Sequence, residues 1–205
     1  MYRVIKSVAA ASLAVLILAI SAPVSACVGK TLVIGGVNLP NVVVVSEMLS
    51  TLITERTGTT VVVKYFGDYK ACYDALKKNE VDIVIDYTGR AFVDVLGKQP
   101  EADAGKVFSA VKESYQRDMN LVWLEPFGFT DAGVITSGKG GATPTVAAPV
   151  VRKETLNKFP ALPRVINKLA GKLGNDVMAK LASESGQGKN AKKVTRKFLK
   201  DNRLI

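Results

Sequence analysis

The sequence predicts an α/β fold, a parallel-rich sheet with crossover helices closed by helices at the carboxyl end. Three observations predict it. Short apolar runs alternate with amphipathic stretches from residue 31 to 123, a glycine-rich segment breaks the pattern at 137–145, and no strand-like run occurs from 152 to 205.

The elements follow in order. Thr31 to Gly35 is a continuous apolar run ending in Gly35-Gly36, the pattern of a buried strand and its turn. Pro40 suits a helix start, and Asn41 to Arg56 carries Val45, Met48, Leu49, Leu52 and Ile53 at helical spacing, with Gly58 at the C-cap position. Thr60 to Tyr65 is the second strand. Tyr69 to Asn79 is a helix with Cys72, Ala75 and Leu76 on one face, and Asp82 to Ile85 is the third strand. Strand, helix, strand, helix, strand in so short a stretch requires parallel strands joined by crossovers. Helices are expected at Arg90 to Leu96 and Ala102 to Asp118, then a strand around Leu121 to Trp123. After the linker, three or four helices are expected, at about Lys153 to Asn157, Leu162 to Leu173, Asp176 to Ser183 and Asn190 to Asp201.

Composition excludes much chemistry. The 205 residues are 48% apolar and 22% charged, an ordinary globular balance, and contain no histidine and two cysteines. Neither a Ser-His-Asp triad, nor a Cys-His pair, nor a histidine-ligated metal, nor a four-cysteine zinc site can be built. Asp82 and Asp86 share a strand face at i, i+4, roughly 13 Å apart by the strand rise. That exceeds the ~5 to 9.5 Å of a glycosidase carboxylate pair. The Gly35-Gly36 turn lacks the GxGxxG and GK[ST] patterns of nucleotide sites. Binding without a cofactor or metal, rather than catalysis, is the expectation.

Residues 1–26 have the form of a secretion signal: Arg3 and Lys6, an apolar run from Ser7 to Ile20, and Val24-Ser25-Ala26 as cleavage site. The mature chain then begins at Cys27, in the periplasm or at the cell surface. Val-Ser-Ala-Cys also fits a bacterial lipoprotein signal, so Cys27 is either a lipid anchor or the disulfide partner of Cys72. A strand beginning near Leu32 leaves little tether for a lipid. The helix bearing Cys72 begins at the far end of the sheet, which disfavours the disulfide.

The formal charge is +10, and it is unevenly placed. Residues 27–151 hold 12 basic and 14 acidic side chains, whereas 152–205 hold 14 and 4. A solvated helical surface accounts for this, and attraction to a membrane or an acidic partner is the alternative. Export and the lack of interleaved aromatics argue against nucleic acid.

The stretches KKNEVDIVIDYTGRAFVDVLG, LVWLEPFGFTDAGVITS and AAPVVRKETLNKFPALPRVINKLAGKLGNDVMAKL resemble, in that order, the periplasmic glycine betaine/choline-binding proteins of osmoprotectant ABC transporters. In those proteins a sequence like GEIDLYPEYTGT precedes WLEPLGFNNTYAL. The resemblance runs over Leu32 to Ile135 and Ala147 to Ile205. It implies a periplasmic binding protein type II-like fold, two lobes that close on a quaternary amine, and delivery to an ABC permease. It also implies that 27–136 begins one lobe and 146–205 returns to finish it. The family's second lobe, on the order of a hundred residues, has only the linker 137–145 in its place, so a single lobe is expected.

A quaternary ammonium has no proton to donate, so aromatic faces recognise it, at ~0.5 to 2 kcal/mol per ring. By the resemblance, Tyr87 and Asp86 match the family's tyrosine and glutamate in EYTGT, with Thr88 beside them. Asn38, in the first loop, stands where the family has a Phe-Thr-Glu segment. These four are the expected ligand residues. Tyr87 is either a ligand contact or a ring packed at the sheet edge. Tyr65, Phe66, Tyr69 and Tyr73 are expected as core or rim packing, and Trp123, Phe127 and Phe129 as core and hinge packing. Other positions depart from the family: Val84 and Gly133 replace tyrosines, and Arg90 replaces a threonine, where it would repel a cation. The expected function is therefore that of a substrate-binding protein, or a single-lobe relative, of a quaternary amine uptake system. The alternative is a non-transport extracytoplasmic scaffold that kept the fold and lost the cage.

Overall fold

The computed structural model describes residues 31–131, 134–135, 142–186 and 188–205. The expected signal segment 1–26, Cys27, Gly133 and most of the expected linker lie outside the described residues.

Five strands form one sheet in the order β2-β1-β3-β5-β4. They are β1 (Thr31–Val37), β2 (Thr60–Phe66), β3 (Ile83–Tyr87), β4 (Leu121–Trp123) and β5 (Ala147–Arg152). β1 runs parallel to β2 and β3, while β5 runs antiparallel to both β3 and β4. Four strands thus share one direction and only β5 opposes them. β5 was not legible as a strand because Pro149 sits inside it, and a proline lacks the N–H that a central strand needs. The Pro149 carbonyl accepts from Leu124 N, so the proline nitrogen faces the β4 side just beyond the end of that strand.

Helix α1 (Pro40–Thr57) connects β1 to β2, with Pro40 in its first turn and Gly58 (φ 68°) as its left-handed cap. The β-branched run Val42–Val45 does not break it, because Val42, Val44 and Val45 are buried against the sheet and packing outweighs the weak propensity penalty. α2 (Tyr69–Lys77) is capped by Asp68, whose carboxylate accepts from Ala71 N at 2.7 Å. α3 (Thr88–Arg90) leads into a π-helical turn over Ala91–Val95, in which Leu96 N donates to Ala91 O. α4 (Ala104–Asp118) starts two residues later than its apolar pattern suggests because Asp103 caps it, accepting from Gly105 N and Lys106 N.

After β5 come α5 (Lys153–Lys158), α6 (Leu162–Ile166), α7 (Asn175–Glu184) and α8 (Ala191–Asp201). The expected helix over 162–173 is cut short at Ile166, followed by a 3₁₀ turn to Leu169. Gly171 N and Leu173 N donate to Pro126 O and Phe127 O, so the backbone docks on another segment instead of continuing its own spiral.

Two apolar cores flank the sheet. On one side, Leu32, Ile34, Ile83 and Ile85 pack with α1 and with Leu162, Ile166, Leu169, Leu173, Met178, Leu181 and Leu199. On the other side, Val84, Val150 and Trp123 pack with Cys72 and Leu76 of α2 and Val107, Val111 and Tyr115 of α4. The carboxyl-terminal helices therefore share a core with β1 and α1. They also form the basic outer layer of that side, where Lys192, Lys193, Arg196, Lys197 and Lys200 of α8 are exposed.

Candidate functional site

In a parallel sheet the strand carboxyl ends and the loops that follow them form the natural ligand edge. Here that edge collects Asn38 after β1, Gly67 to Tyr69 after β2, Tyr87 and Thr88 at the end of β3, and two segments that run side by side. The outgoing segment 124–131 lies along the returning segment 145–149 through Phe127 N to Ala147 O, Ala147 N to Phe129 O and Asp131 N to Thr145 O.

Tyr87 is 1% exposed. Its ring meets Tyr69 edge-on at 6.0 Å and Phe129 edge-on at 6.1 Å, and Phe129 stacks on Phe127 at 6.3 Å. Burial pushes the Tyr87 hydroxyl above its ordinary pKa, and Tyr69, Asp131 and Asp86 push it the same way. Thr88 ties this corner to the returning segment: its hydroxyl donates to Pro144 O at 3.1 Å and accepts from Val146 N at 3.0 Å. That anchoring explains why α3 begins at Thr88, two residues before the expected helix. Asn38 is exposed at the end of β1, and its backbone N–H donates to Phe66 O. Tyr87, Thr88 and Asn38 thus share the carboxyl edge of the sheet.

Asp86 points the other way, because alternate residues of a strand face opposite sides. It is 2% exposed and accepts from Tyr87 N (2.7 Å), Arg90 Nε (2.7 Å) and Arg90 Nη2 (2.5 Å). Arg90 is therefore not a bare cation beside a cage, since its charge is matched by Asp86. Burial works against the guanidinium charge, but the Asp86 charge and hydrogen bonds win and leave the Arg90 pKa raised. The Arg90 Cζ also lies over the Tyr69 ring, 5.2 Å from its centroid. A cavity of about 500 Å³ opens beside this stack, lined by Tyr69, Tyr73, Arg90, Asp94, Asp68 and Lys70 among others.

Cys72 is 3% exposed, and its thiol is pushed up to about 12, chiefly by burial, with Asp86 adding and Arg90 opposing. Its sulfur faces Gly35, where an added β-carbon would lie 3.2 Å away. Among the described residues it is a free thiol. Trp123, Phe127 and Phe129 are buried, as expected of core and hinge packing, while Tyr65 stays 40% exposed on the edge strand β2. Asp82 is structural: it accepts from Val33 N, Thr155 Oγ1 and Arg152 Nη2.

Sequence reasoning missed the Asp86–Arg90 pair and the role of Tyr69 beside it. The i, i+4 spacing of Asp86 and Arg90 was visible. Its meaning depends on a strand-to-helix corner that brings the two ends together.

Known proteins share this fold. A family model described as the substrate binding domain of ABC-type glycine betaine transport systems matches residues 30–136 and 130–201. The carnitine transport binding protein OpuCC of Listeria monocytogenes is 27% identical over 150 residues, 72% of this chain and 46% of that protein. The chain thus spans about half the length of the curated relatives it matches. Among solved structures, a glycine betaine/carnitine/choline ABC transporter protein superposes with a TM-score of 0.75 at 17% identity, covering 85% of this chain and 98% of that one. Apo YehZ from Escherichia coli superposes at 0.72 and 15% identity, covering 86% and 100%. At these identities the likeness is one of fold.

Proposed function

The chain belongs to the family of substrate-binding domains of ABC-type glycine betaine transport systems, and from that premise we propose that it is an extracytoplasmic receptor lobe for a small quaternary amine. The aromatic group at the carboxyl edge carries this reading. Tyr69, Tyr87 and Phe129 meet edge to face where the outgoing and returning segments cross the end of β3. Ring faces are what a cation without an N–H can use, and desolvation strengthens each contact. Tyr87, Thr88 and Asn38 are the proposed ligand residues, with Asp86 acting from behind.

Clamshell closure needs two lobes, each supplying half the contacts. We read 137–145 as standing in place of a second lobe. The close pairing of 124–131 with 145–149 supports this, because the chain leaves and re-enters at adjacent points. A single face buries less of a ligand than a closed cleft, so affinity should be weak. The proposed setting is the periplasm or cell surface, with an ABC permease as partner. Membrane association would run through a lipid on Cys27 or through the basic face of α8.

Calorimetric titration with glycine betaine, choline and carnitine, with glycine as the control, tests the reading. Saturable heat from the quaternary amines and none from glycine is expected. No heat from any of them would remove the amine reading.

A further inference from the structure

One wall of the cavity beside α2 is an organic cation that belongs to the protein, Arg90. Asp86 is buried at the end of β3, and its carboxylate takes two hydrogen bonds from Arg90, four residues on. Arg90 is 6% exposed, and its guanidinium lies over the Tyr69 ring. Tyr115 and Tyr73 pack on the same side of the sheet, 6.1 Å apart and edge-on. The hydroxyls of Tyr69 and Tyr115 are buried, with Tyr87 and Tyr73 as their nearest polar neighbours. A buried carboxylate beside aromatic rings is the set of groups that recognises an organic cation. The outer wall of Arg90 faces the cavity of about 500 Å³, which gives a solute access from outside.

We propose that Arg90 is the resident occupant of an acidic, aromatic cation site, and that it keeps free organic cations out of that site by filling it with its own guanidinium. Arg90 is then a specificity-determining residue: the lobe recognises ligands at its carboxyl edge only, because the neighbouring cation site is permanently taken. This consequence rests on the quaternary amine reading above, but the occupancy itself does not.

The alternative is a buried ion pair that only holds the β3–α3 corner together. Chemical rescue separates the two. In the Arg90→Ala variant of the full chain, the buried Asp86 carboxyl loses its partner, so the melting temperature should fall by roughly 10 °C. Methylguanidinium or tetramethylammonium at tens of millimolar should then raise it by several degrees, saturably, because a ligand that binds only the folded state stabilises it. Methylurea, a neutral molecule of similar shape, should not. The wild type, with its site filled, should respond to neither cation, and the double variant Asp86→Asn/Arg90→Ala should fold and respond to neither.

If Arg90→Ala does not fold alone, refolding by dilution into either cation or into methylurea gives the same decision, and recovery with a cation only supports the proposal. Failure of both cations to stabilise or recover Arg90→Ala, or an equal response by the wild type, overturns it. A wild type that fails to bind glycine betaine would remove the amine reading and leave the rescue result standing.

Discussion

Gly89 lies against Thr145 so closely that a β-carbon on Gly89 would sit 2.5 Å from the Thr145 hydroxyl oxygen and 3.0 Å from Pro144 O. This contact joins the first turn after β3 to the segment that brings the chain back for β5, so it sets how tightly the carboxyl edge closes. Gly89→Ala should push the two apart. Overpacking of this kind costs about 1 to 3 kcal/mol, and here the backbone carbonyl of Pro144 cannot step aside. Urea unfolding should show a lower midpoint with an unchanged slope. The double variant Gly89→Ala/Thr145→Gly should recover part of the loss, and no recovery would show that the hydroxyl is not the obstacle.

Tyr87 is both a core ring and a proposed ligand contact, and its variants should separate the roles. Tyr87→Ala removes a fully buried ring wedged between Tyr69 and Phe129, at about 3 to 5 kcal/mol of stability. Amine binding should weaken by about 1 to 2 kcal/mol as well. Tyr87→Phe keeps the ring and should be milder in both respects. Unchanged amine affinity in folded Tyr87→Ala would return the ring to a purely structural role.

Cys72 should be inert in the folded protein. Its thiol is buried and pushed up to about 12, so almost no thiolate forms near neutral pH. A thiol whose folded pKa is raised contributes stability below its unfolded pKa, near 8.5, and that contribution is lost as pH rises toward 12. Iodoacetamide at pH 8 should leave Cys72 unlabelled until denaturant is added. Rapid native labelling would show that the α2 face opens readily. The intact mass of the exported protein reads the fate of Cys27: a diacylglycerol adduct leaves Cys72 the free thiol described above, whereas a two-hydrogen loss would mean that Cys72 is bonded to Cys27 and labels only after reduction.

Removing everything after Thr145 should abolish cooperative folding. It takes away β5, the strand between β3 and β4, and with it Leu162, Ile166, Leu169, Leu173, Met178, Leu181 and Leu199 from the core shared with Leu32 and Ile34. The loss exceeds the ~5 to 15 kcal/mol by which domains are normally stable. Inserting several Gly and Ser residues at Gly140 should cost only about 0.6 kcal/mol per doubling of loop length. A fragment ending at Thr145 that melts cooperatively at the temperature of the intact protein would mean that the later helices are a separate module.

What could be read from the chain itself was local or periodic. The run TLVIG, the spacing of Val45, Met48, Leu49, Leu52 and Ile53, and Gly58 after them each specify an element within a few residues, because period and capping are properties of neighbours. The parallel arrangement of β1, β2 and β3 followed from connection length alone. The motif around Tyr87 lies at the carboxyl edge of the sheet. Tertiary structure decided the rest, where distant segments compete for the same backbone groups. β5 lies in the middle of the sheet despite Pro149, because the proline nitrogen falls just past the end of β4. The helix after Leu162 stops early because Gly171 and Leu173 bond to residues 126 and 127. Asp86 and Tyr87 are neighbours in sequence, yet the pleat sends the ring into the core between Tyr69 and Phe129 and the carboxylate to the opposite side, where Arg90 meets it. No pattern of residue types carries that outcome, because it depends on which side of a strand is covered by what.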